Sequence, residues 1–280
     1  MHTSVLLQEA VGSLLIQQNG HYIDATFGVG GHSRLIAEQG AKVLAFEWDQ
    51  DIVKLYAEGL KDLGITLIEA NYADIAEMAK ENQFVPCDGI LFDLGLSMVQ
   101  IRESGRGFSY EQDDEPLDMR LSDTLDTTAG KIINNYPKDS LYEIFTKHSE
   151  EISARTLVEH IVRARTLKEI RTVGDLKMAM APQNGTPTLA RIFQALRMEV
   201  NHEFENISAA IKGSYKILKP GGRIAIISFH QGEDRLVKQE LIAAGFKEVN
   251  KKPIRGSYKK SFERIFSGAF GCFEIEASSV

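Results

Sequence analysis

Short apolar runs alternate with amphipathic stretches through the first third of the chain. The runs cover residues 21–27, 42–47, 65–70 and 88–93, and the first ends in a glycine loop. Between them, residues 33–39, 49–63 and 74–81 have the length and apolar spacing of helices. Strands alternating with helices predict a parallel sheet covered on both faces. After Gly95 the pattern changes. Residues 106–200 hold no convincing strand but do hold helical patterns, at 141–145 and 156–165. A buried strand returns at 223–229, after the turn Lys219-Pro220-Gly221-Gly222. The expected architecture is α/β: a Rossmann-like domain of residues 1–105 and 201–280, interrupted by an all-helical insertion at 106–200. Residues 246–252 and 264–276 are expected to form an antiparallel edge pair. Met178, Met180, Phe193 and Leu196 read as helical core.

The 280-residue chain is 43% hydrophobic and 25% charged, too apolar for a disordered polymer and long enough to bury a full core. Its two cysteines, Cys87 and Cys272, fit no zinc or disulfide-scaffold spacing, and no metal site is expected. There is no run of 18 apolar residues and no basic secretory leader, so a soluble, cytoplasmic protein away from membranes is expected. The net charge is −7, but it is uneven. Residues 111–126 carry seven acids and one base; residues 247–264 carry seven bases and two acids. Taken alone, both runs read as solvated faces, although a basic patch on an acidic protein can contact a polyanion.

The first run continues Asp24-Ala25-Thr26-Phe27-Gly28-Val29-Gly30-Gly31-His32-Ser33. Glycines there let the chain turn sharply and let a ligand approach the backbone. Glu47 ends the second run, where an acid can accept both hydroxyls of an adenosine ribose. A dinucleotide site would want a third glycine at position 33, which is serine, so S-adenosylmethionine is favoured over NAD. Asp93 ends the fourth run, and ligands of open α/β sheets gather beyond the carboxyl ends of strands. A turn residue that merely ends the strand is the plainer reading of Asp93.

The motifs then fall into a familiar order. His2-Thr3-Ser4-Val5-Leu6-Leu7-Gln8-Glu9, the glycine loop, and Asp88-Gly89-Ile90-Leu91-Phe92-Asp93-Leu94-Gly95 come first. Arg106-Gly107-Phe108-Ser109-Tyr110, Pro116-Leu117-Asp118-Met119-Arg120, Phe193-Gln194-Ala195-Leu196-Arg197-Met198-Glu199-Val200-Asn201 and Phe229-His230 with Glu233-Asp234-Arg235 follow. The chain resembles the ribosomal RNA small-subunit methyltransferase H (MraW) family over nearly its whole length.

The resemblance implies transfer of a methyl group from S-adenosylmethionine to the exocyclic N4 of a cytidine in 16S rRNA, at the decoding centre of the small ribosomal subunit. It also implies that the helical insertion recognises the substrate. The implied cofactor contacts are Gly28, Gly30, Gly31, His32, Glu47, Tyr72, Asp93 and Gln100. Glu47 and Tyr72 stand where the family usually has aspartate and phenylalanine.

The expected catalytic set is Asp93, Asp118, Asn201 and His230. Asp93, or the main-chain carbonyls of Leu94 and Gly95, would accept an N–H of the target amine. Asn201 and Arg197, four apart on one helix, would point at the base or its phosphate. The basic residues Lys251, Lys252, Arg255, Lys259 and Lys260, with Tyr258, suit RNA phosphates and a stacked base. Met98, Val99, Arg102, Gln231 and Gly232 depart from the family's acceptor-side pattern. They keep open a paralogue with another RNA or small-molecule target, or a cofactor-binding module without catalysis. The oligomeric state stays open, a dimer included.

Overall fold

In a computed structural model the chain forms two compact units, one from residues up to Gly95 and from Phe204 onward, the other from Leu96–Glu203. The structure describes residues 4–148, 151, 153–182, 185–249, 254–255 and 269–274. The basic stretch at 251–260 lies outside them, except for the backbone of Ile254 and Arg255.

The first unit opens with α1 (Leu7–Ser13), then β1 (His21–Asp24), α2 (Gly31–Glu38), β2 (Lys42–Glu47), α3 (Gln50–Tyr56), β3 (Ile65–Glu69), α4 (Ile75–Glu81) and β4 (Cys87–Asp93). The helical unit holds α5 (Met98–Glu103), α6 (Ala129–Asn135), α7 (Lys138–Lys147), α8 (Ala154–Leu167), α9 (Val173–Ala179) and α10 (Thr186–Val200). The chain then returns through α11 (Glu203–Ile217), β5 (Leu218–Ser228), α12 (Gln231–Ala244), β6 (Lys247–Glu248), β7 (Ile254–Arg255) and β8 (Ala269–Glu274).

The sheet order is β3-β2-β1-β4-β5-β8-β6, with β7 paired to β8. The strands from β3 to β5 run parallel, and β8 runs antiparallel to β5. This is a Rossmann-like α/β sheet. Its central strands β1, β2 and β4 are buried on both faces, as crossover helices require. In β2 every residue after Lys42 is buried. Ile23, Leu44, Phe92 and Ile226 share one core with Ile207 and Ile211 of α11. The helical unit has its own core, centred on Ile132, Phe145, Leu157, Ile161, Ile192 and Leu196. Among the described residues, no helix is long and apolar enough to cross a membrane.

Several elements differ from expectation. The helical unit begins at Leu96 rather than 106, because the segment after the sheet's fourth strand folds at once into α5, started by a Ser97–Gln100 capping box. β1 stops at Asp24, where the glycine loop takes over. The turn at Lys219–Gly222 is a bulge inside β5: Cys87 pairs with Leu218, and Gly89 already pairs with Arg223. β8 is an interior strand between β5 and β6, so only the short β6 pairing matches the expected edge pair. Met178 is 68% exposed and is not core, whereas Met180 is fully buried.

Candidate functional site

In the first unit, Asp24, Glu47 and Asp93 are the last residues of β1, β2 and β4. The parallel sheet brings their carboxyl groups to one end. Asp24 is completely buried and accepts the Ser33 hydroxyl at 2.6 Å and the Thr26 N–H at 3.2 Å. Ser33, which breaks the dinucleotide pattern, therefore holds Asp24. Burial lifts the Asp24 pKa to about 6, against the pull of those hydrogen bonds.

Glu47 shapes the glycine loop. Its carboxylate accepts the Gly28 N–H at 3.0 Å on one oxygen and the Asp49 N–H at 3.0 Å on the other. Trp48 adds a third main-chain hydrogen bond to the carboxylate, which leaves part of its acceptor capacity for a ligand hydroxyl. Burial raises its pKa to about 7, opposed by those N–H groups. Gly28 and Gly30 have positive φ, +55° and +80°, and Gly30 starts α2. Tyr72, in a single 3-10 turn after β3, packs edge-on against Phe92 with ring centres 5.9 Å apart.

The Asp93 N–H donates to Thr26 Oγ1 at 2.6 Å. Its Oδ1 is buried without a hydrogen-bond partner among the described residues. Burial, then repulsion from Asp24 and Glu233, raises its pKa to about 8. His32 Nδ1 lies 3.8 Å from Asp93 Oδ2, but the pair is not ionic at neutral pH, because burial lowers the His32 pKa to about 4.

His230 sits elsewhere in this logic. Its Nδ1 accepts the Glu233 N–H at 3.3 Å, so the ring caps the N-terminus of α12. Glu233 returns the contact by accepting the Phe229 N–H at 2.9 Å. His230 Nε2 is 2.8 Å from Glu233 Oε1 but out of hydrogen-bond alignment. The geometry gives His230 a structural task, the plainer reading of a lone histidine, beside the catalytic one expected of it.

In the helical unit, three separated motifs form one assembly. Arg120 grips Asp118 through Nε to Oδ1 at 2.7 Å and Nη2 to Oδ2 at 2.8 Å. Burial works against the Asp118 charge, but the Arg120 hydrogen bonds outweigh it and hold its pKa below the ordinary range. Arg106 Nη1 donates to the Arg120 carbonyl at 3.0 Å. Gly107 has φ +76°, and a Cβ there would strike the Pro116 carbonyl oxygen.

Asn201 is wholly buried and uses its amide on the same loop. It donates to the Met119 and Arg197 carbonyls at 2.8 Å each and accepts the Leu121 N–H at 2.8 Å. Where Asn201 was expected to point at the acceptor base, its amide is bonded to main-chain groups of this loop and of its own helix. Arg197 is likewise engaged. It forms a two-pronged pair with Glu203, at 2.7 and 2.9 Å, in which the carboxylate balances its charge. Gln100 spends its side-chain oxygen on the Ser97 N–H and hydroxyl, at 2.9 and 3.1 Å, capping α5.

A sequence model of the MraW methylase family matches residues 1–262. The chain belongs to the MraW methylase family. It is an S-adenosylmethionine-dependent methyltransferase. The ribosomal RNA small subunit methyltransferase H of Desulfotalea psychrophila is 39% identical over 268 residues, 91% of this chain and 90% of that protein. The protein of the same name from Cytophaga hutchinsonii is 40% identical over 273 residues, 94% of this chain and 90% of its own length. That from Thermosipho melanesiensis is 39% identical over 245 residues, 85% and 84% of the two chains.

The site's own chemistry fits this cofactor. Three carboxylates at the ends of adjacent strands oppose a pyrophosphate and suit a cation. Asp93 Oδ1 supplies a buried acceptor that still needs a donor.

Proposed function

We propose that this methyltransferase modifies the exocyclic N4 of a cytidine in 16S rRNA, at the decoding centre of the small ribosomal subunit, in the cytoplasm. The observation that carries the reading is the buried, partnerless Asp93 Oδ1 at the end of β4. The names and 37–40% identities of the curated relatives support the rRNA target.

Gly28, Gly30, Gly31, His32, Glu47, Tyr72 and Asp93 would hold the cofactor: Glu47 the ribose hydroxyls, Asp93 the ammonium of the amino-acid end. When bound, S-adenosylmethionine supplies a methyl group on a sulfonium that is its own leaving group. Strong base catalysis is therefore unnecessary, and the protein's task is positioning and electrostatics. The cytosine N4 lone pair is delocalised into the ring. A hydrogen-bond acceptor on its N–H favours the pyramidal form that attacks. With Asp93 committed to an ammonium, the carbonyls of Leu94 and Gly95 take that role. The helical unit would recognise the RNA, with Asp118 and Arg120 presented on a loop fixed by Arg106 and Asn201.

Mass spectrometry of 16S rRNA nucleosides from a strain lacking the gene tests the target. The N4-methyl mark is expected to vanish and to return with the wild-type gene but not with Asp93→Ala. An unchanged mark overturns the reading.

A further inference from the structure

The segment just before α1 lies on the glycine loop. A Cβ built on Gly31 would fall on Ser4 Oγ, so the Ser4 side chain fits against the loop only because residue 31 lacks one. Val5 offers its carbonyl to His32 Nε2 at 3.3 Å. Leu6, with φ +50°, then turns the chain into α1. A carbonyl only accepts, so Nε2 carries the single proton of the neutral imidazole, and Nδ1 is left as a bare lone pair. That lone pair is 3.8 Å from Asp93 Oδ2, too far for a hydrogen bond. Once Asp93 is ionised, two acceptors face each other in a buried site and repel unless a donor group bridges them. Asp93 Oδ1, on the same carboxyl group, is buried and has no hydrogen-bond partner among the described residues.

We propose that residues 4–6 are a working part of the cofactor site: through Val5 they fix His32 in the tautomer that turns Nδ1 into an acceptor, so that His32 and Asp93 jointly seat a primary ammonium. The proposal rests on the reading of Asp93 as the ammonium's partner. An ammonium brings three N–H donors, and this corner supplies acceptors from two residues. Val5 and Ser4 are positioning residues. They act through His32, and Gly31 is the seat that lets them approach.

Calorimetry on the full chain tests this with two nucleosides, S-adenosylhomocysteine, which carries the ammonium, and 5′-methylthioadenosine, which lacks it. Wild-type protein should bind the first at least tenfold more tightly. His32→Leu should weaken the first about tenfold, the scale of one charged hydrogen bond, and leave the second within about twofold. Gly31→Ala, which drives Ser4 off its seat, should show the same selective loss. Ser4→Gly placed on top of Gly31→Ala should restore it. Equal weakening of both nucleosides would make the segment merely structural and overturn the proposal. So would full discrimination surviving in the variants. Wild-type protein that fails to distinguish the two would instead overturn the reading of Asp93 itself.

Discussion

Asn201 closes a clasp on Met119, donating to its carbonyl at 2.8 Å while Met119 holds a left-handed φ of +59°. A side chain in that region is strained by about 1 kcal/mol or more, so the surroundings must impose it. The Asn201 amide also accepts the Leu121 N–H, which fixes the backbone on both sides of Arg120.

Asn201→Ala should therefore lower unfolding free energy by about 2–4 kcal/mol, since buried main-chain groups lose partners. Urea denaturation measures it. Affinity for S-adenosylhomocysteine should stay within about twofold, and affinity for RNA should fall. A stable variant with unaltered RNA binding would free Asn201 of the positioning role.

Glu47→Ala removes the acceptor of the Gly28 and Asp49 N–H groups as well as the ribose acceptor. Cofactor affinity should weaken by about 1.5–3 kcal/mol. Glu47→Gln keeps one acceptor oxygen and should lose less. Titration calorimetry on both variants checks the order.

Asp93 makes binding pH-dependent. Its folded pKa is raised to about 8, so the stability it gives is complete at low pH and is lost as pH rises through that value. Glu47, at about 7, and Asp24, at about 6, add to the same trend. A cationic ligand has the opposite preference, because it needs Asp93 ionised in the face of Asp24 and Glu233. Between pH 6 and 8, affinity for S-adenosylhomocysteine should rise while the thermal midpoint of the ligand-free protein falls. In Asp93→Asn the rise in affinity should flatten. A steep profile persisting in that variant would place the titrating group elsewhere.

His230 separates a cap from a catalyst. His230→Ala should cost about 1 kcal/mol of stability, the scale of a lost N-cap. Asparagine is among the best caps, so His230→Asn should recover stability and, on the capping reading, methyl transfer too. Stability restored with activity still lost would return His230 to the catalytic set.

Replacing Lys259 and Lys260 with alanine tests the basic stretch. If both meet phosphate, the log–log salt slope of RNA binding should flatten by about 1.4, at roughly 0.7 per contact for a single strand. An unchanged slope in fluorescence anisotropy would shift RNA contact to exposed arginines such as Arg163 of α8.

The centre of the sheet was legible because β1, β2 and β4 are buried on both faces and so read as apolar runs. β2 falls on the expected residues, 42–47. The glycine loop and the three strand-ending acids were legible for a related reason: topology alone brings strand ends together. Asn201 and Arg197 were not. Helical spacing places two side chains on one face but cannot say whether that face meets a ligand or a neighbouring loop. The capping contact of His230 was not legible, because a cap and a catalyst both favour a polar residue at the end of a strand. The Ser4–Gly31 contact joins residues far apart in the chain, and a lone glycine gives no hint of its partner.

Asp93 of β4 pairs with Ile227 of β5, across the entire helical unit. Joining two strands over a structureless tether of roughly a hundred residues would cost about 4 kcal/mol of closure entropy. The intervening residues have their own core, in which α7 packs on α8 and α10 returns onto α6 and α7. Collapse of that core ahead of the sheet would shorten the tether that the sheet must close. The helical unit then acts as a folding aid to the sheet, and lesions in its core should slow strand closure as well as weaken the unit itself.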